Sequence, residues 1–164
     1  MAILAAIAIP NLKPRQPSID KFLSDLNAFS QIAWQDTIVT GALHRVVFNF
    51  STKRISLEKE KASAAGKQLD ESQAFEPVVS AYLSNTISYP DSLAIRSFFV
   101  AGKNEMEGSE QAWYFIGQNG ISQEVMINIE DQSSANREEP DVYGLVLNPF
   151  SAQFKKYETY QEPK

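Results

Sequence analysis

One histidine, His44, and no cysteine set the outer limit of the chemistry this chain can do. Multi-histidine zinc sites and thiolate metal sites are out of reach, and a Ser-His-Asp arrangement would have to recruit His44 from inside an apolar, strand-like run, LHRVVFNF. No nucleophile motif accompanies it. The chain has no G-x-S-x-G, and neither Gly66-Lys67 nor Gly102-Lys103 carries the upstream glycine and downstream Ser or Thr of a phosphate-binding loop. The expectation is a protein that is not an enzyme, with no catalytic residue, no cofactor and no metal.

The charged residues offer three further candidates. Glu58 and Glu60 share one face of an extended chain, where paired carboxylates can do acid-base work if their surroundings push their pKa values apart; a solvated strand end is the simpler account. Glu138, Glu139 and Asp141 could offer oxygens to calcium but lack the spaced ligands and turn glycine of an EF-hand, so the stretch 131–141, DQSSANREEPD, reads as a solvent loop. Lys53, Arg54, Lys59 and Lys61 form the densest basic cluster, a candidate patch for a partner or for DNA phosphates. Glu58 and Glu60 interrupt that cluster and the formal net charge is −5, which favours a salt-bridged hairpin surface over a DNA site. Tyr157 and Tyr160 could contact a partner or a sugar, though packing at a sheet edge explains them as well.

Positioning any of these residues requires a folded scaffold. A length of 164 residues with 43% hydrophobic and 21% charged content suits one domain with a real core. Ile19, Phe22, Leu23, Leu26, Phe29, Ile32 and Ala33 recur at helical spacing, which predicts an amphipathic helix over 17–41, opened by Pro17 and closed by Gly41 as C-cap. The period then becomes strand-like. Leu43 to Phe50 and Arg54 to Glu58 predict a hairpin, and later strands are expected at Leu93 to Ala101, Ala112 to Gly117, Glu124 to Glu130, Val142 to Leu147 and Gln153 to Tyr157. Asn119-Gly120 reads as a hairpin turn, and Asn148-Pro149 closes the next strand. Residues 60–72 read as a polar loop, and Phe75 to Leu83 as a short helix or an irregular cover. One helix followed by about seven strands implies an α+β fold, the helix's apolar stripe buried on antiparallel sheet.

The N-terminus stands apart. Met1 to Ile9, MAILAAIAI, is apolar throughout and ends at Pro10, too short for the roughly 20 residues of a membrane-spanning helix and without the basic leader of a signal peptide. Residues 1–16 are read as the remnant of a hydrophobic anchor helix with a proline-rich juncture, PNLKPRQ, and residues 17–164 as the globular domain.

Ile3 to Leu12, ILAAIAIPNL, resembles the second half of the transmembrane helix of type IV pilin-like proteins. The body extends the likeness. An alanine-bearing helix end leading through Thr40-Gly41 into His44-Arg45-Val46-Val47-Phe48 resembles minor pseudopilins of the GspH and FimT type, as do, in order, Trp113-Tyr114-Phe115, Asn119-Gly120, Val125 to Ile129 and Leu145 to Pro149. The family's basic leader, cleavage-site glycine, first phenylalanine and nearby glutamate are missing, and Phe150-Ser151-Ala152 replaces the glycine often found after the late Asn-Pro turn. The resemblance implies a structural subunit of a type II secretion system or type IV pilus, methylated at its mature N-terminus. It would be held in the bacterial inner membrane by a single-pass helix, with its globular domain in the periplasm and a place in a filament. Ile3, Leu4, Ile7, Ile9 and Pro10 would belong to the assembly helix, and the partners would be other pilin or pseudopilin subunits and a secreted protein. FimT-like relatives help DNA uptake through positive surface, which makes DNA the alternative partner for Lys53, Arg54, Lys59 and Lys61.

Overall fold

The computed structural model describes residues 18–62, 74–79, 84–133 and 139–163. The anchor residues Ile3 to Pro10, the juncture after them and Glu138 lie outside these. Helix α1 (Ser18–Thr40) buries Ile19, Phe22, Leu26, Phe29 and Ala33, the three- and four-residue spacing that lines up one face of a helix. It stops at Gly41, whose φ of +68° only glycine adopts freely and whose N–H donates to the Thr37 carbonyl at 2.8 Å.

Strands follow in the order β1 (His44–Asn49), β2 (Arg54–Glu60), β3 (Phe75–Pro77), β4 (Thr86–Ser88), β5 (Leu93–Val100), β6 (Lys103–Asn104), β7 (Gln111–Ile116), β8 (Val125–Asp131), β9 (Asp141–Asn148) and β10 (Gln153–Tyr157). They form two antiparallel sheets. Sheet 1 runs β3-β2-β1-β7 with β4 also on β2, and sheet 2 runs β10-β9-β8-β5-β6. This is the α+β arrangement expected, with short strands added to the seven that periodicity revealed.

The core lies where the sheets and helix meet. Phe48 of sheet 1 packs against Phe98 of sheet 2 with ring centroids 4.8 Å apart, and Tyr114 approaches both Phe48 and Phe154. Tyr114 is fully buried, so its hydroxyl needs a partner and finds Ser30 of α1 at 2.9 Å. Burial pushes this phenol well above its ordinary pKa, keeping it neutral. From β10, Lys156 reaches Asp20 at 2.6 Å, tying sheet 2 to the helix's first turn.

Three expectations need correction. Of the stretch Phe75 to Leu83, expected as a short helix or an irregular cover, residues 75–77 are strand, because β2 presents Glu58, Lys59 and Glu60 as an edge to be paired, and residues 80–83 lie outside the described ones. Asn119-Gly120 does reverse the chain, with Gly120 at φ +73° and its N–H on the Gly117 carbonyl, but the flanking strands meet only at Ile116 and Ser122. Beyond that bridge β7 stays in sheet 1 and β8 enters sheet 2. Finally, the stretch 131–141 is not all solvent loop. Asp131 ends β8, is buried, and accepts the N–H groups of Ile19 and Ser133, so its carboxylate faces the positive end of α1.

Candidate functional site

His44 opens β1 directly behind the helix cap, and this fixes its surroundings. Its Nε2 lies 2.8 Å from Asp36 Oδ2, and its Nδ1 lies 2.9 Å from Thr37 Oγ1 and 3.0 Å from the Ala42 carbonyl. A hydroxyl, an imidazole and a carboxylate are thus in contact, the outline of a catalytic triad. The surroundings deny it that role. His44 and Thr37 are both fully buried, Thr37 donates its proton to the Ala33 carbonyl at 2.8 Å, and the adjoining cleft is lined by Gly41, Ala42, Lys59 and Gln118 and not by either of them. The cluster fastens the last turn of α1 to β1.

The basic candidates are dispersed along β2. Lys53 and Arg54 stand at its start, Lys59 and Lys61 at its end, and the alternation of side chains sends Arg54 outward while Lys59 shares the side of Ile55 and Leu57. Lys53 reaches Asp91 at 3.3 Å and Lys59 reaches Glu76 at 3.8 Å. Glu58 is committed to Arg45 at 2.7 Å, so it and Glu60 do not form an isolated acid pair. Tyr160 donates its hydroxyl to Glu130 at 2.9 Å, while Tyr157 lies under the Lys155 ammonium, 5.0 Å from it. Among the described residues no three His, Asp or Glu side chains gather as metal ligands. No helix there is long and apolar enough to cross a membrane.

Sequence reasoning overlooked two clusters on the outer faces of the sheets. On sheet 1, the Arg45 guanidinium lies 4.3 Å from the Phe75 ring centroid and 5.4 Å from that of Trp113. On sheet 2, Asn128 in β8 stands opposite Gly144 in β9, and residues 159–161 cross over them. The Asn128 side chain accepts the Gln161 N–H and donates to the Gln161 carbonyl, both at 2.9 Å, so it pairs with the tail as a strand would. A Cβ on Gly144 would come within 2.5 Å of Gln161 Cγ and 2.7 Å of the Thr159 carbonyl. A glycine inside a strand signals close backbone approach, and that signal was available in VYGLVL.

The arrangement of one N-terminal helix on two antiparallel sheets matches two solved structures of the minor pseudopilin EpsH from the type 2 secretion system of Vibrio cholerae. In one, the match covers 84% of this chain and 94% of that one, with a TM-score of 0.58 at 9% identity. In the other, it covers 88% and 98%, with a TM-score of 0.54 at 12% identity. The fold is that of a minor pseudopilin. No family model matches the sequence, and no curated protein matches it either.

Proposed function

We propose that this protein is a minor pseudopilin, a non-enzymatic structural subunit of a type II secretion system or of the related type IV pilus. The observation that carries this reading is the shared fold with EpsH along most of both chains. The apolar run preceding α1 supports it, since Ile3, Leu4, Ile7 and Ile9 before Pro10 give a segment suited to packing among other helices. In this role a single-pass apolar helix holds the subunit in the bacterial inner membrane and bundles with the helices of other pseudopilins. The globular domain then faces the periplasm, where neighbouring subunits and a secreted protein are its partners.

The chain's lack of cysteine makes the test direct. Single variants Ile3→Cys and Ile7→Cys, expressed in the source cell and oxidised in intact membranes, should give disulfide-linked adducts with pseudopilins carrying a cysteine at the equivalent depth. A protein that forms no such adducts and fractionates entirely away from the membrane would overturn the reading. The DNA-uptake alternative requires Lys53, Arg54, Lys59 and Lys61 to act from opposite ends of β2, two of them already beside carboxylates. It predicts binding to a duplex oligonucleotide that weakens steeply with salt and is lost on reversing Lys53 and Arg54.

A further inference from the structure

Edges of β-sheet expose unpaired N–H and C=O groups, and at β10 and β7 polar groups from neighbouring segments close several of them. In sheet 2, Asn27 of α1 covers the outer edge of β10, accepting the Phe154 N–H at 2.6 Å and donating to its carbonyl at 3.1 Å. In sheet 1, β7 is the outer strand beside β1. The bond from Phe50 N–H to the Glu110 carbonyl sets the parity of that ladder, so Gln111, Trp113 and Phe115 turn their backbone groups away from β1. Gln111 is closed by Ser109, whose hydroxyl bonds both its N–H and its carbonyl. Phe115 is closed by Gln123, which accepts the Phe115 N–H through Oε1 and donates its own N–H to the Phe115 carbonyl. Trp113, between them, has neither group partnered among the described residues.

A cleft of about 230 Å³ opens along this gap, lined by Val100, Glu105, Gln111, Ala112, Trp113 and Gln123 among others. Its floor is apolar at Val100 and Ala112, and its surroundings are acidic. Glu105 lines it, while Glu110 and Glu124 adjoin lining residues in sequence, are exposed, and form no ion pair among the described residues. Lys103 answers Glu105 alone, at 3.1 Å.

We propose that the β7 edge at Trp113 receives an extended, lysine- or arginine-bearing segment of a partner protein through a single two-bond backbone pairing, since Ser109 and Gln123 already close the edge on either side. The segment's backbone would take up the Trp113 N–H and C=O, a small apolar side chain would rest on Val100 and Ala112, and its cations would answer Glu105, Glu110 and Glu124. The surface stands on its own geometry and does not depend on the filament role.

The test uses the isotopically labelled protein and the peptide acetyl-Lys-Val-Lys-Val-Lys-amide, with acetyl-Glu-Val-Glu-Val-Glu-amide as control. The basic peptide should shift the amide resonances of Trp113, Phe115 and Gln123, and the acidic one should not. Trp113→Pro and Trp113→Val both lose the indole, but only proline also loses the outward N–H, at an edge position where proline is tolerated, and it should weaken binding about tenfold relative to Trp113→Val. The double variant Glu105→Lys, Glu124→Lys retains every backbone group and should reverse the preference between the peptides. Absence of shifts at β7 with the basic peptide, or equal binding of both peptides, would overturn the proposal. So would equal affinity of the folded Pro and Val variants. Should Trp113→Pro fail to fold, an unchanged preference in the charge-reversed protein overturns it instead.

Discussion

On the outer face of sheet 1 the organising group is a cation: Arg45, with its side chain only 11% exposed, pairs with Glu58 and stands 4.3 Å and 5.4 Å from the ring centroids of Phe75 and Trp113. On the outer face of sheet 2 the same task falls to the chain's own C-terminal segment, held by Asn128 and admitted by Gly144. The first closure is electrostatic and local to neighbouring strands. The second is a backbone-like pairing between β8 and a tail 33 residues away. The difference teaches that the faces should fail separately, one through an uncompensated charge and the other through release of a peripheral segment.

The largest effect is expected from Arg45→Ala. It leaves the half-buried Glu58 carboxylate without its cation and strips Phe75 and Trp113 of their contact, costing about 2–3 kcal/mol in denaturant unfolding. Gly144→Val attacks the other face. Its added carbon would overlap Gln161 and the Thr159 carbonyl, and the tail should lift away at a cost of about 1–3 kcal/mol. Hydrogen exchange should then lose protection at the Gln161 amide while β1 and β2 amides remain protected; loss in both sheets would refute the separation. Asn128→Ala removes the pairing without the overlap and should cost about 1 kcal/mol, because the freed tail groups return to water.

The smallest effect is a pH dependence on sheet 2. Hydrogen bonding from Arg96 holds the Glu130 carboxyl below its ordinary pKa of 4.5, with burial opposing this and the Tyr160 hydroxyl assisting. Burial, and then the Glu130 carboxylate, push the Tyr160 phenol up to about 12, so it stays a donor at neutral pH. A carboxyl depressed in the folded state contributes stability that is fully present above 4.5 and disappears as pH falls through its lower folded value. The stability gap between the wild type and Glu130→Gln should therefore close on acidification. A gap that persists at low pH would show that Glu130 acts through shape and not charge.

These contrasts also mark how far the sequence could be read. The helix over 17–41 became Ser18–Thr40, and seven expected strands appeared within a residue or two of their anticipated ends, because burial on one face imposes a local period on apolar residues. The short strands β3, β4 and β6 carry too few residues to show any period, and pairing to neighbours decides them. Residues 131–141 were misjudged at their first position because Asp131 looks like loop chemistry, while its partner, the Ile19 N–H, is 112 residues distant.

Composition and local order thus determined that the chain has no cysteine chemistry, at most one catalytic imidazole, and an α+β scaffold of one helix followed by strands. Only the tertiary structure decided that His44 is enclosed between Asp36 and Thr37, that Lys53 and Lys59 meet Asp91 and Glu76, that Asn128 and Gly144 are one docking point, and that Trp113 is left open. The physical reason is range. Periodicity records which side of an element avoids water, whereas partners across sheets are chosen by packing among residues that sequence order does not bring together.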